Sequence, residues 1–161
     1  MNSTFGQLHK QFHYLRAIGK IIDEDWQKGA KKLGITQSEH HIIWILFFEK
    51  KAPMSRIAEI GLWDLSTVMQ IMKRLKAKEL VDIIKDEKDL RISYVVLTAK
   101  GESIWKESTN IDMRMVGFIE QYTNRSEENK QFMKKMAEFQ QEVNQYFYGP
   151  EFVSWVEKTG K

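Results

Sequence analysis

The sequence predicts a mainly α fold: a winged helix-turn-helix with a two-stranded β-wing, flanked by long N- and C-terminal helices. Three observations predict it. Apolar residues recur at steps of three and four over both ends of the chain. Two shorter helical segments meet at a Gly-containing turn near residue 61. The period then changes to two short β-rich runs separated by the charged stretch Lys85-Asp86-Glu87-Lys88-Asp89-Leu90-Arg91. The order helix, helix, strand, charged loop, strand is far more specific than any one of its parts.

The first helix is drawn by Phe5, Leu8, Phe12, Leu15, Ile18, Ile22 and Trp26 and runs on through Ala30 to Leu33, where Gly34 supplies a stop. Such a stripe, longer than a small domain needs, invites a partner chain. Thr36-Gln37-Ser38-Glu39 is a capping box, so a second helix is expected over 37–49. It is apolar around most of its circumference, as a central core helix would be. Ser55 is expected to cap a short third helix interrupted by Gly61, and Asp64 a fourth over 65–78. Strands are expected over 80–84 and 93–98. Thr98 caps a helix expected over about 100–123, and Ser126 a last long helix ended by Gly149-Pro150, with a short apolar tail beyond.

The chain has 161 residues, of which 42% are hydrophobic and 29% charged, which fits one domain with extensions. Cys is absent, which excludes disulfides, thiolate chemistry and cysteine oxidation sensing. The longest apolar run, Ile42 to Phe48, is far short of the roughly 20 residues of a membrane span, and no secretory signal opens the sequence. The expected compartment is the cytoplasm, in association with the nucleoid. No nucleotide-binding, metalloprotease or nucleophile-elbow motif occurs, so no enzyme, catalytic residue, cofactor or metal is expected. His9 and His13 share a helix face and His40 and His41 are adjacent, but a metal site there lacks supporting ligands. Asp23, Glu24 and Asp25 read as solvated surface.

Charge is uneven. The net balance is +2 over residues 1–50, +3 over 51–100 and −2 over 101–161. Lys73, Arg74, Lys76 and Lys78 form a basic cluster on the fourth helix. With Val68, Ile71, Met72 and Leu75 turned inward, the opposite side carries Ser66, Gln70, Lys73 and Ala77, with Met69, Arg74 and Lys76 on the flanks. Gln70 can pair with adenine, Ser66 can donate or accept, Met69 can touch a thymine methyl, and the cations suit phosphates. Lys88 and Arg91 on the wing suit a narrow minor groove. Charge alone would equally fit a solvated helix face.

Ile57-Ala58-Glu59-Ile60, Ser66-Thr67-Val68, Leu75, Leu80-Val81, Asp89-Leu90-Arg91 and Leu97-Thr98 with Gly101 together resemble the MarR family of transcriptional regulators. The stretch Glu39-His40-His41-Ile42-Ile43-Trp44-Ile45 resembles its Hpr branch, whose members regulate extracellular protease and sporulation genes in bacilli. The resemblance implies a homodimer binding double-stranded DNA at a pseudo-palindromic operator, as a repressor. It implies an N-terminal dimerisation helix over 1–34, a winged DNA-binding domain over 35–99 and C-terminal dimerisation helices over 100–161. Ser55, Ser66, Thr67, Met69, Gln70, Lys73, Arg74, Lys76, Lys88 and Arg91 are the candidate DNA contacts. Phe5, Leu8, Phe12, Leu15, Phe118, Phe132, Met136, Phe139 and Val143 are the candidate dimer contacts. Tyr14, Trp26, Trp44 and Trp63 are candidates for a crevice holding a small-molecule effector. Gly61, one residue early in its turn, also resembles the Hpr branch; the chain departs from the family in having Glu79 where Gly is common and Asp64 where Ser commonly caps the recognition helix. A protein-binding winged-helix adaptor and a small-molecule-binding protein are the alternatives.

Overall fold

A computed structural model describes residues 3–160. The elements are α1 (Ser3–Lys32), α2 (Gln37–Glu49), β1 (Lys51–Ala52), α3 (Met54–Gly61), α4 (Leu65–Ala77), β2 (Val81–Lys85), β3 (Ser93–Leu97), α5 (Ala99–Ser108), α6 (Arg114–Thr123) and α7 (Glu127–Thr159). They pack as two units, one through Arg114 and one from Met115.

In the first unit α2 is the hub, touching α1, α3, α4, α5, β1 and β3. Ile42, Ile43, Ile45 and Leu46 are completely or almost completely buried, as its near-continuous apolar sequence requires. The capping box is formed: the Thr36 hydroxyl accepts from the Glu39 amide, and the Glu39 carboxylate accepts from the Thr36 amide at 2.8 Å. α4 buries Val68, Ile71, Met72 and Leu75 and packs on α3, β2 and α2. Each such side chain is worth about 1.5–3 kcal/mol of apolar burial.

The wing is one strand richer than expected. β1, two residues long, pairs antiparallel with β3, giving the order β1-β3-β2. A two-residue strand leaves no periodicity to read, and Lys51-Ala52 looked only like the end of α2. In the main hairpin Val81 faces Leu97 and Lys85 faces Ser93.

Helix ends account for the other differences. Pro53, not Ser55, holds the N-cap position of α3, so Ser55 lies exposed in its first turn. Asp64 occupies the N-cap of α4, but its side chain makes no capping bond. Gly61 stays helical, and Leu62 takes the left-handed conformation (φ 55°) that ends α3. The glycine is needed for another reason: a Cβ on Gly61 would lie 2.5 Å from the Trp63 ring. Glu79 is left-handed too (φ 60°), as is Lys50 (φ 64°). Each of the three core helices α2, α3 and α4 is therefore followed by a left-handed residue that is not glycine, whereas α1 leads into Gly34 (φ 72°).

The helix expected over about 100–123 is two helices, α5 and α6, interrupted over residues 109–113. In the second unit, Ser126 caps α7 by accepting from the Asn129 amide. Gly149 breaks α7 with φ 85° and ψ 170°, and the apolar tail that follows is helical. Its Val153 is buried, and a recess between residues 137–144 and Val153, Val156 and Glu157 shows the two arms lying side by side.

Candidate nucleic-acid interface

The outer face of α4 is as the helical arithmetic places it. Ser66, Thr67, Met69, Gln70, Lys73, Arg74 and Lys76 are all exposed, while every inward residue is buried. Arg74 of this helix and Lys78 at its C-cap are engaged from behind. The Arg74 Nε donates to Glu39 Oε1 at 3.3 Å, and Lys78 Nζ donates to Glu39 Oε2 at 2.7 Å and to the Gly34 carbonyl at 3.0 Å. Glu39 is fully buried, whereas the Arg74 and Lys78 side chains keep 47% and 37% of their exposure. Burial alone would raise the Glu39 carboxyl. Hydrogen bonds from Lys78, the Thr36 amide and Arg74, with the Lys78 charge, outweigh it and hold the group below its ordinary range.

The wing loop is ordered by two carboxylates. Asp86 Oδ1 accepts from the Lys88 and Asp89 amides at 2.8 and 3.0 Å. Asp89 grips Arg91 in a fork, taking Nε on Oδ1 and Nη2 on Oδ2, both at 3.0 Å, and also accepts from the Arg91 amide. The Arg91 side chain remains 90% exposed. The fork holds Asp89 below the usual carboxylate range, and amide donors, Lys88 first, do the same for Asp86. Lys88 is exposed beside them.

The four candidate crevice aromatics do not gather as one lining. Trp26 and Trp44 flank His40: the Trp26 indole N–H is directed at Nδ1, and that of Trp44 at Nε2 at 2.8 Å. Trp44 also reaches the buried Ser108 hydroxyl at 3.3 Å. Trp63 packs edge-on to His41, whose ring also meets Trp26. Trp63 lines a recess of about 460 Å³ with Gln27, Thr36, Gln37, Ser38 and His41. Tyr14 stands three turns away on α1, exposed, with Lys10 over its ring. Burial, and secondarily the neighbouring His41, lower the His40 pKa to about 4, and burial lowers that of His41. Among the described residues no cluster of His, Asp and Glu is arranged to hold a metal ion.

Of the candidate dimer residues, Phe5, Leu8, Phe12 and Leu15 project from α1 and Phe118, Phe132, Phe139 and Val143 from the second unit, all exposed, while Met136 is half-buried. The acidic run on α1 is not uniformly solvated. Asp25 is buried and receives both the amide and the Nε of Arg114, at 2.8 and 2.6 Å. Sequence reading missed this pair and the ionic role of Glu39, because partners 89 and 39 residues away leave no local signal.

The fold defines a winged-helix protein, and solved structures agree. A mutant MarR from E. coli, crystallised with operator DNA, superposes with a TM-score of 0.68 at 15% identity, covering 83% of this chain and 95% of that one. BldR from Sulfolobus solfataricus gives 0.62 at 19% identity, over 86% and 97% of the two chains. The chain thus has the winged-helix fold of MarR-family regulators. Its curated homologues are bacterial proteins named HTH-type transcriptional regulator Hpr. That of Geobacillus thermodenitrificans is 38% identical over 89 residues, 55% of this chain and 44% of the relative. That of Exiguobacterium sibiricum is 36% identical over 100 residues, 62% and 53% of the two. The chain spans about half the length of these relatives. No protein-family model matches it. The homologues are regulators, not enzymes, and no described helix is long and apolar enough to cross a membrane.

Proposed function

We propose that the chain is a sequence-specific regulator of transcription that binds a pseudo-palindromic duplex operator as a homodimer and represses. The observation that carries the reading is the two-sidedness of α4. Its inner residues are buried in a core shared with α3, β2 and α2, and its outer ones offer Gln70 and Ser66 for base edges with Lys73 and Lys76 for phosphates. Thr67, Met69 and Ser55 add exposed contacts near the same helix starts. The wing supports it: Asp89 fixes the Arg91 guanidinium in a two-point ion pair that leaves it 90% exposed, a narrow minor groove attracts such a cation, and Lys88 is at hand for the backbone. The exposed apolar rows of α1 and of the second unit support the dimer, since patches of that kind mark association surfaces.

The test combines gel shift and sedimentation. Binding to duplex selected from a random pool should weaken steeply as salt rises. Arg91→Ala should lower affinity for the selected duplex by about tenfold or more while the sedimenting species stays a dimer. An unaltered affinity, or a chain that sediments as a monomer at binding concentrations, would refute the assignment.

A further inference from the structure

We infer that Glu39 sets DNA specificity by withholding two cations of α4 from the phosphates; this rests on the regulator reading above. α4 and its C-terminus carry four cations in six residues, Lys73, Arg74, Lys76 and Lys78. Cations on such a surface bind any duplex, because phosphate contacts carry no sequence information. Glu39 reaches from α2 into this cluster with a fully buried carboxylate. It pairs with both Arg74 and Lys78, offsetting one of their two charges and tethering both side chains, Lys78 being fastened also to the carbonyl of Gly34. Lys73 and Lys76 have no ion-pair partner among the described contacts and remain to meet a backbone. The arrangement thus splits the cluster into two free and two restrained cations, lowering the sequence-independent attraction while leaving Ser66 and Gln70 untouched.

The geometry suits Glu39→Gln as a probe. Glutamine serves a capping box as glutamate does, so the start of α2 keeps its cap. Arg74 and Lys78 are partly exposed and can swing into water, so no charge is stranded. Binding to a random-sequence duplex and to a selected operator duplex would be followed by fluorescence anisotropy across a potassium chloride series. Glu39→Gln should steepen the dependence of log K on log salt by about 0.9 per winged module for each cation released. It should tighten random-duplex binding several-fold at low salt and shrink the ratio of operator to random affinity. An unchanged slope in a variant with native circular dichroism would overturn the inference.

A second comparison needs no change in the core. With Glu39 present, Arg74→Gln should flatten the salt slope less than Lys73→Gln does, since Arg74 is already paired. Equal effects would overturn the inference even if Glu39→Gln fails to fold. If the unaltered chain shows salt-dependent duplex binding and these variants do not behave as described, only the role of Glu39 falls. If the unaltered chain binds no duplex, the regulator reading falls with it.

Discussion

Acidification from about pH 7.5 to about pH 5 should destabilise the fold by about 2 kcal/mol through His40 alone. Both imidazole nitrogens face indole N–H groups, Trp26 on Nδ1 and Trp44 on Nε2. A neutral ring offers one bare nitrogen to these donors. A protonated ring offers none, and sets N–H against N–H on both sides. Burial first, and then the neighbouring His41, hold His40 of the folded chain near pKa 4, against 6.5 for the ordinary side chain. A depressed folded pKa means that the unfolded chain takes the proton first. The full stability is present above pH 6.5 and is lost as pH falls from there toward 4. The whole gap is worth about 3 kcal/mol, and about 2 of it is gone by pH 5, before ordinary carboxylates titrate strongly. His41, shifted the same way, adds to the loss. Urea unfolding should be followed by far-ultraviolet circular dichroism, because imidazolium quenches nearby tryptophans and would distort fluorescence. His40→Gln, which cannot titrate, should flatten the pH dependence over this interval. Equal pH dependence of the two proteins would refute the reasoning.

Two further outcomes follow from backbone geometry. Leu62→Gly should stabilise the chain by about 1 kcal/mol, because Leu62 is half-exposed and left-handed and loses little burial on replacement; thermal unfolding with an unchanged or lowered midpoint would contradict this. Gly101→Ala should destabilise by about 1–3 kcal/mol, since its Cβ would lie 2.2 Å from the Leu80 carbonyl oxygen, a backbone atom that cannot swing aside; a denaturation midpoint equal to that of the parent would reject the close approach.

Much of the fold was legible because its elements are governed by neighbouring residues. The stripe from Phe5 to Trp26, the capping box at Thr36 and the inward row Val68, Ile71, Met72 and Leu75 are local patterns, and each stands in the structure as read. β1 was illegible because its partner among the described residues is a strand more than forty residues later. The break between α5 and α6 was hidden because the apolar spacing continues across residues 109–113, whereas the pairing of buried Asp25 with exposed Arg114 belongs to distant chain segments. The polar side of α4 was readable by rotation alone. That Arg74 and Lys78 on its edge converge on Glu39 was not, because ion pairing depends on how α2 crosses α4.

The first five turns of α1 have consequences for how the molecule comes apart. Phe5, Leu8, Phe12, Leu15 and Ile18 are all left facing solvent, while the same helix is anchored further along by Asp25 and Ala30. A helical stretch of this length without packing is marginal in water. Those leading turns therefore hold only by continuity with the anchored end of the helix, and fray before it does. Amide hydrogen exchange would open that end of the molecule before it reaches the winged core.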